Sequence, residues 1–95
     1  YWISITNKGD KPAQLLNRYW QITDADGRIN TVNGEGVVGE QPHFQPRQNF
    51  EYNSFCPLPT EFGFMQGHYD MIGDEQKNFR IDIPQFRLSK PHSAN

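Results

Sequence analysis

Ala13-Gln14-Leu15-Leu16-Asn17-Arg18-Tyr19-Trp20-Gln21-Ile22-Thr23 runs into Asp24-Ala25-Asp26-Gly27 and then into Arg28-Ile29-Asn30-Thr31-Val32. The first stretch is ambiguous, because Leu15, Leu16, Tyr19 and Trp20 would also line one face of a helix. Periodicity alone does not separate helix from strand; the residues from Asp24 to Val32 do. Asp-Ala-Asp-Gly is turn chemistry, and Arg28 to Val32 can return as the second arm of a hairpin. The hairpin favours strand, and an all-β fold with it.

The flanking segments agree. Tyr1, Ile3 and Ile5 alternate with Trp2, Ser4 and Thr6, and Asn7 to Pro12 then reads as a turn. Beyond the prolines at 42 and 46, Phe50, Tyr52 and Ser54 alternate with Glu51, Asn53 and Phe55. Pro57 to Phe64 reads as a loop. Met65, Gly67, Tyr69 and Met71 then alternate with Gln66, His68 and Asp70 up to a turn at Gly73 to Gln76. Phe79, Ile81 and Ile83 alternate with Asn78, Arg80 and Asp82, after which Pro84 is expected to break pairing before Phe86 and Leu88 resume it. Six or seven short strands, spaced by turns at roughly eight to twelve residues, predict an antiparallel β-sandwich of immunoglobulin or fibronectin type III kind.

Seven Phe, four Tyr and two Trp in 95 residues support that fold, and seven Pro with eight Gly interrupt any long helix. One domain over residues 1–90 is expected, with a flexible polar tail at 91–95. Nine Lys and Arg against eleven Asp and Glu give a net charge of −2 without a basic block, which points away from nucleic acid and acidic membrane surfaces. No apolar run approaches membrane-spanning length, and Tyr1 to Thr6 lack the basic start of a signal peptide. A cytoplasmic protein without membrane insertion is the expectation. The lone Cys56 allows no internal disulfide, suits a reducing compartment and reads as structural, next to Pro57 in an apolar stretch.

Gly34-Glu35-Gly36-Val37-Val38-Gly39 has the Gly-x-Gly-x-x-Gly spacing of dinucleotide-binding loops. Such a loop must open a helix whose N-terminus receives the pyrophosphate, and Pro42 and Pro46 forbid one here. Glu35 and Glu40 would also repel phosphate unless a metal ion intervened. The glycines are read first as serving positive φ or close strand packing, and second as a surface loop that contacts a partner. Asp24 to Gly27 lacks the further acids of a calcium loop, and His43, His68 and His92 have no metal-ligand spacing. Asp74 and Glu75 sit in a turn where solvation explains them, and Ser4, Ser54, Ser89 and Ser93 lie in no nucleophile elbow. No catalytic residue, cofactor or metal site is assigned.

Several ordered motifs together carry a family likeness: Gln14 to Asp24, Gly34 to Pro42, Phe50-Glu51-Tyr52, Cys56-Pro57-Leu58, Gly63 to Met65, Gly67, Tyr69-Asp70-Met71 and Phe79 to Leu88. Over nearly its whole length the chain resembles the ApaG family. Tyr19 stands where members commonly carry His before the Trp, and Asn33 where a basic residue often precedes the glycines. Members usually have further strand residues upstream of the point where this sequence starts. The resemblance implies a fibronectin type III-like sandwich that binds protein partners, with a family link to cobalt resistance and magnesium efflux and no catalytic mechanism.

The leading expectation is therefore a non-enzymatic protein-interaction module. Its contact surface is expected to include Gly34, Glu35, Gly36, Val37, Val38, Gly39 and Glu40 together with Phe62 and Phe64 of the Pro57 to Phe64 loop, unless those two rings are buried beneath it. The alternative is pyrophosphate or dinucleoside polyphosphate binding at the glycine loop with a divalent cation held by Glu35 or Glu40. A third is a homodimer through the sheet edge at the N-terminal strand.

Overall fold

Half-buried strands need one apolar face each, and the alternating stretches supply it. The computed structural model describes residues 1–89, so the tail expected at 91–95 lies outside the described residues. Its strands are β1 (Trp2–Thr6), β2 (Ala13–Asp24), β3 (Ile29–Glu35), β4 (His43–Phe44), β5 (Asn49–Asn53), β6 (Phe62–Gly73) and β7 (Asn78–Ser89). A single 3-10 turn spans Asp74–Gln76. One sheet has the order β3-β2-β6-β7, with β4 pairing the start of β2, and β1 and β5 form the other. All pairings are antiparallel, and the two sheets make a β-sandwich of the fibronectin type III kind. Among the described residues no helix is long and apolar enough to cross a membrane.

The hairpin that decided the fold is closed by Asp24, which is buried. Its Oδ1 accepts from the amides of Asp26 and Arg28, both at 2.9 Å, so burial leaves that oxygen satisfied. The segment after β1 does not return beside it but crosses to the other sheet. Asn7 fixes the crossing by donating from Nδ2 to the Lys11 carbonyl at 2.8 Å and the Phe44 carbonyl at 3.2 Å.

Two bulges set which side chains face inward. The β2–β6 register shifts between Leu15 and Asn17, so Leu16 is the extra residue and both Leu15 and Trp20 reach the core although they differ in parity. On β7, Met65 pairs with Phe86 while Gly67 pairs with Ile83. Pro84 and Gln85 thus oppose Gln66 alone, and Pro84 sits in a bulge instead of breaking the strand as expected. Phe62 opens β6, which corrects the loop reading of Pro57 to Phe64: the connection ends before Phe62.

The core is Leu15, Trp20 and Ile22 of β2, Met65, Tyr69 and Met71 of β6, Phe44, Tyr52 and Val37. The Trp20 ring is met edge-on by Tyr69 and Phe86, both centroids at 6.0 Å. The hydroxyls of Tyr52 and Tyr69 hydrogen-bond to each other across the two sheets, the one side chain–side chain bond among the described residues that is buried. Burial pushes the Tyr52 phenol up to about 12 despite the opposing effect of that bond, and it pushes Tyr69 up further.

Removing either hydroxyl strands the other, which is expected to destabilise by about 1–3 kcal/mol, whereas removing both leaves nothing unsatisfied. Urea unfolding followed by Trp fluorescence should therefore show Tyr52→Phe/Tyr69→Phe losing less than the sum of the single variants, and additivity would refute the coupling. The pH dependence has a definite sign. Unfolded tyrosines ionise near pH ~10 while Tyr52 and Tyr69 hold their protons higher, so their contribution is complete below about pH 10 and is lost as pH rises above it, Tyr52's through about 12 and Tyr69's at higher pH still. The double Phe variant should lose stability less steeply over that window.

Candidate functional site

β3 carries the chain through Gly34 and Glu35 beside β2, where Gly34 pairs with Arg18. The Arg18 guanidinium lies flat over that position: a Cβ on Gly34 would stand 2.8 Å from it. From there Nη1 donates to the carbonyls of Glu35 at 3.0 Å and Gly36 at 2.9 Å, clamping the end of the strand. Gly36 then turns the chain at φ +63°, where a Cβ would lie 2.0 Å from the Glu40 carbonyl oxygen, so both conformation and space demand glycine. Val37 and Glu40 bond to each other in both directions, at 2.8 and 2.9 Å. Between them Val38 at φ +42° and Gly39 at φ +82° form a two-residue turn with positive φ at both central positions.

This geometry bears on what the turn can bind. The amides of Gly36, Val37 and Glu40 already donate to Leu16, Glu40 and Val37 carbonyls, which removes three donors from any phosphate cradle. Val37 belongs to the core and is not part of the surface. Val38, in contrast, is 53% exposed at the tip. A β-branched residue at positive φ is an outlier, and here about half of its apolar side chain stays in water.

The turn is anchored on the β2 bulge. Leu16 oxygen accepts from the Gly36 amide at 2.8 Å and from Gln41 Nε2 at 3.0 Å, while Pro42 oxygen receives the Leu15 amide at 3.0 Å. Leu16 also lines an open groove of about 520 Å³ with Pro12, His43 and Ile72, walled on the far side by Asp74, Glu75 and Gln76. Glu75 and Gln76 are themselves at φ +61° and +62°.

Phe62 and Phe64 lie elsewhere. Both project from the outer face of β6; Phe62 is exposed, Phe64 is half-buried, and their rings meet edge to face at 6.2 Å. The Arg87 guanidinium covers Phe62 at 4.8 Å. On β2, Phe64 is level with Thr23, whereas Glu35 is level with Asn17. Six residues of strand at about 3.3 Å each separate them by ~20 Å, so the two halves of the expected contact surface do not come together. Between them Tyr19 stacks on His68 at 5.0 Å, and Asn33 is the other cross-strand neighbour of Tyr19.

The remaining candidates are accounted for. Burial raises the Cys56 thiol, and Sγ is turned to the Pro57 carbonyl at 3.6 Å, which leaves a weak nucleophile. Asp74 and Glu75 face Lys11 at 3.9 Å and Lys77 at 3.8 Å in exposed ion pairs, not one another. Among the described residues no three His, Cys, Asp or Glu are grouped to hold a metal ion. Sequence reasoning missed Arg18 and the bulge at Leu16, because their partners come from β3 and the segment after it.

Comparison with known proteins places this geometry in a family. The sequence model of the ApaG domain matches residues 1–73. Protein ApaG of Cronobacter sakazakii is 50% identical over 91 residues, which is 96% of this chain and 73% of that protein. Protein ApaG of Xylella fastidiosa strain M12 is 50% identical over 95 residues, 100% of this chain and 75% of that protein. A crystal structure described as an ApaA protein from Bordetella pertussis superposes with a TM-score of 0.91 at 45% identity, covering 98% of this chain and 76% of the other.

The glycines should differ sharply in tolerance. Gly36→Ala is expected to lose about 2 kcal/mol or more from clash and strain, and Gly39→Asn, with nothing within 4 Å of its Cβ, less than about 1 kcal/mol. Thermal unfolding of both variants checks the difference, and equal losses would show that the turn is not packed as described.

Proposed function

The chain belongs to the ApaG domain family, and on that footing we propose that it is a non-catalytic, cytoplasmic protein-interaction module whose contact point is the Val38 tip and the groove beside it. The observation that carries this reading is Val38 itself: a strained backbone presenting an apolar side chain to water. Asn or Gly would make the same turn with less strain, so valine there is useful when another surface covers it. The base is rigid, held by the Arg18 clamp and the bonds to Leu16, which keeps the ordering cost of binding low. Leu16, Pro12 and Ile72 offer apolar walls for a partner side chain within the groove. Protein is favoured over polyphosphate because three turn amides are used internally and Glu35 and Glu40 flank the turn. The half-buried lone thiol suits a reducing compartment.

Val38→Asn separates folding from binding. It should raise Tm by a few degrees, from about 0.5–1 kcal/mol of relieved strain, and cut capture of the native-cell partner about tenfold or more, with Phe62→Ala as the comparison. Full capture by Val38→Asn would remove the turn from the contact surface. A chemical-shift titration with diadenosine tetraphosphate and magnesium or cobalt, giving shifts confined to residues 33–40 at micromolar ligand, would replace protein by polyphosphate as the ligand.

A further inference from the structure

Among the described residues strand β3 pairs on one side only. At the two ends of its ladder the Gly36 amide donates to Leu16 oxygen at 2.8 Å and the Asp24 amide to Arg28 oxygen at 2.9 Å. Antiparallel alternation then turns Arg28, Asn30, Val32 and Gly34 toward β2, and the amides and carbonyls of Ile29, Thr31, Asn33 and Glu35 away from it. Among the described residues the one further bond to these outward groups is from Arg18 to the Glu35 carbonyl.

An edge of this kind is normally guarded by charge, proline, a bulge or shortness. β7 has Arg80, Asp82 and Arg87 along it and Pro84 in a bulge; β5 has Glu51 and five residues, and β1 is equally short. β3 has none of these from Ile29 to Gly34. Its own flanking charges are Arg28 before it and Glu35 at its end, of opposite sign, and the Arg18 guanidinium of β2 lies over Gly34.

We infer that β3 is a self-pairing edge that joins two copies of this chain, antiparallel about a dyad at Val32, into one continuous sheet. In that register Ile29 faces the second copy's position 35, and Thr31 faces its position 33. All four outward residues on each strand are thereby matched, giving about eight new backbone bonds. Pairing about Thr31 instead would leave Glu35 unmatched. The antiparallel arrangement sets Glu35 opposite position 29 of the other copy at both ends, so no like charges face one another across the ladder; parallel pairing in register would set Glu35 beside Glu35. Val32, 39% exposed, meets its own equivalent across the dyad. A ladder this short buries well under the roughly 1,200 Å² of stable specific interfaces, so the dimer is a weak one, dissociating in the high-micromolar range. This edge differs from the N-terminal strand considered from sequence, and its evidence is independent of Val38.

Sedimentation equilibrium of the full chain from about 10 μM to 1 mM should show reversible dimer. Thr31→Pro, which removes an outward amide that the fold does not use, should keep the unfolding transition and lose dimerisation at least tenfold. In a Cys56→Ser background, Val32→Cys should oxidise to a covalent dimer at least tenfold faster than Asn30→Cys, because only position 32 meets itself within disulfide reach. A monomer at 1 mM would overturn the proposal and leave the edge to a strand of another protein. Dimerisation unaffected by Thr31→Pro, or equal oxidation at 30 and 32, would overturn it in favour of another contact. Val38→Asn should not change the dimer, so this proposal and the partner site fail separately.

Discussion

The extra residue at Leu16 is the constraint on which the rest of the molecule turns. Without it, strand alternation from Leu15 would send Trp20 and Ile22 to solvent; with it, all three reach the core. The same residue presents its carbonyl to the Gly36 amide and to Gln41 Nε2, so the bulge that sets the core register also anchors the glycine turn. Its side chain then forms part of the groove wall. Core, turn and groove are therefore one mechanical unit.

That constraint also explains what was legible in the sequence. Strand alternation at Tyr1 to Thr6, Phe50 to Ser54, Met65 to Met71 and Asn78 to Ile83 is local and could be read directly. The helix-like spacing of Leu15, Leu16, Tyr19 and Trp20 is what a two-residue repeat looks like with one residue inserted, so the ambiguity was the signature of the bulge. Pro84 misled for a related reason: in a bulge its missing amide is not needed, so the strand runs on. Nothing local says that β1 pairs β5, a contact between segments about fifty residues apart in sequence, or that Phe62 already lies in a strand.

The glycine motif shows the limit of reading spacing as chemistry. Gly36 and Gly39 are there for positive φ and Gly34 for the Arg18 guanidinium above it, which was the plainer of the readings that the sequence allowed. Arg18 carries the arrangement, yet on the sequence it is one scattered basic residue, visible as a clamp only once β3 lies beside β2. On the sequence, the glycine motif and the stretch with Phe62 and Phe64 both read as loops. The sheet register puts them at opposite ends of the same face, and an account that used both as one contact would need a partner about 20 Å across.

Backbone strain distinguishes the glycine end from the Phe62 end. Among the described residues four non-glycine residues have positive φ: Val38, Arg47, Glu75 and Gln76. Glu75 and Gln76 form one wall of the groove, and the turn bearing Val38 is anchored on Leu16, which lines it too. Asn-Gly or a similar pair would make either turn with less strain. Exposed pairs such as Lys11–Asp74 and Lys77–Glu75 return little of the difference in water. The Phe62 end has no such strain; there Arg87 covers the ring and the side chains satisfy one another. A surface that relaxes by itself has less to gain from a partner than one held out of its preferred conformation, so between the Phe62 end and the glycine end it is the glycine end whose cost folding alone does not offset.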